Sequence, residues 1–129
     1  MIKTTQDIED YLTPLSKMLH LENEPKWVIL RFMVDISLSK EQGFEDIKVD
    51  STSSDGKEYR LEQITGEGKG SEDYTKLFWD MIEAFDGVSI TSKKSLEENL
   101  QKHILRGFYI LKTSLKSDSN IFEFMSQDF

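Results

Sequence analysis

Residues 25–38 read PKWVILRFMVDISL, and what that stretch becomes decides the fold. Nine of the twelve residues from Trp27 to Leu38 are apolar, and only Arg31, Asp35 and Ser37 interrupt them. Arg31 and Asp35 stand four apart, so on a helix they share one face while apolar residues cover the rest. Such a helix has to be buried nearly all round. The flanks favour helix over strand: Pro25 suits a first helical position, Asn23 or Glu24 can cap it, and Gly43 stands where a stop is expected. A membrane span needs about 20 apolar residues without central charges, so the stretch is too short for that role.

Upstream of that stretch, Ile8, Tyr11, Leu12, Leu15, Met18 and Leu19 recur at spacings of three and four, which makes residues 4–20 an amphipathic helix. Pro14 implies a kink there or a fresh start with Thr13 as cap. Downstream of Gly43, residues 50–57 are a turn-rich loop. Glu58–Glu62 alternates like a short strand, with Ile47–Val49 as its hairpin partner. Residues 65–71, TGEGKGS, do not form a phosphate loop, because Gln63 and Gly70 occupy the places of the required glycine and hydroxyl; a flexible linker is the expectation.

Ser71 can then cap a helix with Tyr74, Leu77, Phe78, Met81, Ile82 and Phe85 as its stripe and Gly87 as its end. Trp79 falls off that stripe and is expected at a contact surface. The last long helix starts at Ser92 or Ser95 and runs to about Lys116. Gly107 in its middle implies close approach of another helix. The tail 117–129, with Phe122 and Phe124, is expected as a short closing helix or an inserting arm. The fold class is therefore mainly α: a single compact domain over 1–129, with four to five helices around a buried central helix and room for one short β-hairpin.

The chain has 129 residues and no cysteine, which excludes disulfides, thiolate zinc and cysteine catalysis. No nucleophile–base pattern is visible, His20 and His103 read as structural, and the scattered carboxylates read as solvated faces. The expectation is a protein that is not an enzyme, with no metal and no cofactor. The amino terminus lacks a basic stretch followed by an apolar run, so a cytoplasmic location is expected, with no membrane partner. Formal net charge is −8, but residues 74–116 carry seven positive and five negative charges. Phosphate contacts are therefore expected at Lys93, Lys94, Lys102, Arg106 and Lys112.

Three segments carry a family resemblance. Residues 15–38, LSKMLHLENEPKWVILRFMVDISL, resemble the opening of the DndE family, the small component of bacterial DNA phosphorothioation, with Pro25, Arg31, Ser37 and Leu38 on the matching places. Residues 58–67, EYRLEQITGE, resemble its middle segment, and residues 103–107, HILRG, its closing His-x-x-Arg-Gly. The resemblance implies a ribbon-helix-helix-like layout and an oligomeric, non-catalytic, DNA-associated subunit working beside the other phosphorothioation subunits. It marks His103 and Gly107 as interface candidates, beside Trp79, Phe122 and Phe124, which the helical stripe and the aromatic tail single out. One departure bears on DNA: the family's lysines cluster around the first helices, whereas residues 1–46 here carry five positive and nine negative charges. An acidic protein–protein adaptor, without direct DNA contact, is the alternative reading.

Overall fold

A computed structural model describes residues 1–39 and 55–114. In chain order they form β1 (Ile2–Lys3), α1 (Gln6–Met18), α2 (Lys26–Ser39), β2 (Glu58–Tyr59), α3 (Leu61–Thr65), a 3-10 turn (Gly70–Glu72), α4 (Thr75–Asp86) and α5 (Lys93–Ser114). The fold is mainly helical, as the periodicity implies. The most extensive contact is α2 against α5. Ile29, Leu30, Met33, Val34 and Ile36 are almost wholly buried there. The pairings Met33–Gly107 and Ser37–His103 make the two helices antiparallel.

Gly107 fixes how closely they cross. A Cβ at that position would lie 1.9 Å from the Met33 carbonyl oxygen, well inside van der Waals contact. The absent side chain lets the α5 backbone rest on the α2 backbone, and that gain offsets the roughly 1 kcal/mol a mid-helix glycine costs. Gly107 and His103 are consequently spent within the chain: both are buried, which removes them from the expected subunit interface.

α1 is one helix with Pro14 inside it, capped by the Thr5 hydroxyl, which accepts the Ile8 N–H. Pro14 faces solvent, so the Asp10 carbonyl that loses its helical donor lies on the wet side. The strand pairing differs from the expected hairpin. β2 pairs antiparallel with β1, Ile2 opposite Tyr59, whereas Ile47–Val49 lie outside the described residues. Two-residue strands so far apart in sequence leave no periodic trace. The order β1–α1–α2 follows a ribbon-helix-helix unit, yet β1 finds its ladder partner within the same chain.

A buried polar cluster secures that pairing. The Glu9 carboxylate accepts from Thr4 Oγ1 at 2.6 Å and from Tyr59 Oη at 3.0 Å, and meets Lys26 Nζ at 3.4 Å. Burial, then the neighbouring Glu9 charge, pushes the Tyr59 phenol far above its ordinary pKa, so it stays a donor. Of the loop expected at 50–57, residues 55–57 dock on the start of α1, with Gly56 N–H on the Thr4 carbonyl and Asp55 accepting from Gln6 N–H.

Residues 65–71 are no linker. Gly66 ends α3 in the left-handed region, the Tyr74 N–H donates to the Thr65 carbonyl at 2.7 Å, and a 3-10 turn fills the interval. Asp73, rather than Ser71, serves the start of α4: its Oδ1 accepts from the Thr75 N–H and hydroxyl. At α5 the Ser92 hydroxyl accepts the Ser95 N–H, which selects the earlier of the two expected starts. The tail 117–129, with Phe122 and Phe124, lies outside the described residues.

Candidate functional site

The expected phosphate-contacting residues divide between surface and core. At about 100° per residue, Lys94, Glu98, Lys102, Tyr109 and Lys112 fall within an arc of roughly 80° on α5. Lys94, Glu98, Lys102, Tyr109 and Lys112 are also exposed. The three lysines span about 27 Å at 1.5 Å per residue. Lys112 Nζ sits 5.4 Å from the Phe108 ring centroid, while Lys94 and Lys102 make no hydrogen bond or ion pair with any described residue. Lys93 points to another side and pairs with Glu67 at 2.5 Å, which holds α5 to the glycine turn and raises the lysine pKa.

Arg106 does not belong to this strip. It is buried, its Nη1 donates to the Ser37 carbonyl and, at 3.2 Å, to Ser37 Oγ, and its guanidinium lies 5.3 Å from the Phe85 ring centroid. The Ser37 carbonyl belongs to the last turn of α2, where backbone acceptors lack helical donors and a cation is favoured. Arg106 thus caps α2 from α5. The expectation of a phosphate contact there is corrected by its burial.

Beside it runs a chain of polar groups that joins three helices. Ser37 Oγ lies 2.7 Å from His103 Nδ1, and His103 Nε2 lies 2.9 Å from Asp86 Oδ2. The Asp86 carboxylate can only accept, so His103 Nε2–H donates to it, and in the neutral ring Nδ1 then accepts from the Ser37 hydroxyl. Burial lowers the His103 pKa, with Asp86 opposing and Arg106 and Lys102 reinforcing, which favours the neutral ring this chain requires. Ser, His and Asp are the residue types of a hydrolytic triad, but Ser37 is wholly buried and its oxygen already accepts from Arg106. Nothing can be presented to it, so the arrangement works as a lock between the ends of α2 and α4 and the middle of α5. Neither Ser37 nor Asp86 carries a sequence signal of this role; Ser37 stands 66 positions from its partner.

Trp79 is half-buried and packs on the core, contrary to its expected exposure. α4 turns Phe78 and Ile82 inward, which brings Trp79 and Phe85 to the core margin and leaves Leu77 52% and Met81 37% exposed. Between α2 and α4 an open groove of about 360 Å³ is walled by Val28, Phe32, Tyr74, Leu77 and Phe78. Arg31 and Asp35 enter it from α2 without pairing. Arg31 Nε donates to the Ile64 carbonyl at 2.6 Å and Nη2 to the Gln63 carbonyl at 3.0 Å, and its guanidinium covers the Tyr74 ring. Asp35 takes no hydrogen bond from any described residue. Its apolar surroundings raise its carboxyl pKa, and the Arg31 charge only partly reverses that.

A family model described as DNA sulphur modification protein DndE matches residues 1–119. No curated protein and no solved structure matches the chain.

Proposed function

The chain belongs to the DndE family of DNA sulphur modification proteins, and from that premise we propose that it serves the phosphorothioation machinery as a non-catalytic, DNA-associated accessory subunit acting as an oligomer beside the other subunits. The observation that carries this reading is the family match over residues 1–119. The lysine strip of α5 supports the DNA contact, because three cations along one exposed face can follow a phosphate backbone despite the chain's net charge of −8. The sealed Ser37–His103–Asp86 chain supports a role without chemistry of its own, since its only hydroxyl is out of reach. Work on DNA implies a cytoplasmic site of action.

A titration of intact and nicked duplex DNA by fluorescence anisotropy tests the reading. The wild type is expected to bind with micromolar or tighter affinity that falls steeply with salt. Reversing Lys94, Lys102 and Lys112 to Glu is expected to weaken binding more than tenfold and to flatten the log–log salt slope by about 2 to 3, the release expected from three phosphates. Unchanged binding in that variant would refute the α5 contact. A second reading, an acidic adaptor that holds a protein neighbour without touching DNA, is favoured by the chain's net charge of −8 and the open, mostly apolar groove between α2 and α4.

A further inference from the structure

The buried carboxylate of Glu9 stands beside two lysines. Its oxygens accept from Thr4 Oγ1 and Tyr59 Oη, and Lys26 Nζ of α2 lies 3.4 Å from Oε1. Lys57, next to β2, is brought to the same place by its backbone. Its N–H donates to Thr4 Oγ1 at 3.0 Å, and its carbonyl accepts the Thr4 N–H at 2.9 Å. The Lys57 side chain is exposed, and its Nζ is hydrogen-bonded to Lys26 Nζ rather than to the carboxylate.

An ammonium has three donors and no acceptor, so two lysine nitrogens share a hydrogen bond only when one of them is neutral. Lys26 meets the carboxylate and keeps its proton, which leaves Lys57 as the neutral acceptor. The pKa directions agree. The hydrogen bond with Lys26, then the Lys26 charge, lowers that of Lys57, and the same bond raises that of Lys26. Tyr59 stays a phenol and adds no charge to the cluster. A neutral amine beside a fixed cation is a nucleophile at neutral pH, and rotation of an exposed side chain is enough to free its lone pair.

We propose that Lys57 is a covalent modification site, the lysine of this chain that an acyl phosphate acylates first. The class of donor follows from the neighbour: the Lys26 ammonium attracts the phosphoryl oxygens while the Lys57 nitrogen attacks the acyl carbon. A C–N bond forms, the bond from the acyl carbon to the phosphate oxygen breaks, phosphate leaves with that electron pair, and the amine proton passes to solvent. The amide carries no charge, so Lys26 keeps Glu9 and the pairing of β1 with β2 is undisturbed. The modification lies on a different part of the chain from the α5 strip and does not depend on the DNA contact.

The test treats the full chain with a trace of acetyl phosphate over a series of pH values and reads the rate at each lysine by mass spectrometry. Lys69 and Lys94, both exposed, are the references. At neutral pH Lys57 should react about tenfold faster than either, and its rate should level off about one pH unit lower, the two being the same effect. Lys93, held by Glu67, should react more slowly than the references. In Lys26→Met the Lys57 rate should fall to that of Lys69 and Lys94, and the pH at which it levels off should rise to theirs, with the reference rates unchanged. Equal rates at Lys57 and the references in the wild type would overturn the proposal, with no variant needed. So would a preference for Lys57 that survives Lys26→Met, because exposure alone would then explain it.

Discussion

At single residues, the sharpest consequence belongs to Gly107. The Met33 carbonyl against which a Cβ would press is backbone, so Gly107→Ala has to push α5 off α2 across the most extensive helix contact. A loss of about 3 kcal/mol is expected, at the upper end of core overpacking, read as a large fall in the denaturation midpoint. His103 gives a pH signature. Its pKa in the folded chain lies below the ordinary histidine value because burial penalises the charged ring. The unfolded state therefore binds more protons between those two values, and stability, full above about pH 6.5, falls as pH drops through that window. Tm measured from pH 7.5 to 5 should fall less in His103→Gln than in the wild type, although the variant starts lower. Identical slopes would show that His103 is not held neutral by its surroundings.

The helices and the lock between them are differently legible in sequence. Apolar spacing placed α1, α2, α4 and α5 within a few residues, because 3.6-residue periodicity is a local property. Which half of a wide stripe faces the core is not local. Tyr74, Leu77, Phe78, Met81, Ile82 and Phe85 cover two helical faces, and only the position of α2 decides that Phe78 and Ile82 go in and Leu77 stays out. The same limit hid Arg31, whose partners are carbonyls at the end of α3 rather than Asp35 one turn away. Arg31→Met should expose that end: two charge-assisted hydrogen bonds disappear, a loss of about 2–3 kcal/mol, with amide exchange accelerating first in residues 61–73. Arg31→Lys should rescue little, since one ammonium cannot reproduce the fork. Pro14→Ala should act in the opposite direction. The helix runs through it unbroken, and restoring the missing donor is expected to raise stability by about 1–3 kcal/mol.

Across the molecule, basic and apolar surfaces are separated. The lysine strip lies on α5, and the mostly apolar groove lies between α2 and α4, so the two surfaces belong to different faces. The charge balance of residues 74–116 made the first of these readable in sequence, apart from Arg106, whose burial depends on the α2 terminus it caps. The second was obscured because its walls come from segments some 40 residues apart. If this member of the DndE family supports DNA sulphur modification without performing chemistry itself, cells that carry the rest of the machinery but lack this chain will show it. The phosphorothioate content of their DNA would be measured by mass spectrometry after nuclease digestion, with the wild type, Ser37→Ala or the Lys94, Lys102, Lys112→Glu variant supplied. The wild type and Ser37→Ala are expected to restore modification and the lysine variant to restore much less. A folded Ser37→Ala protein that restores none would contradict the account, because the buried serine would then be a reacting group.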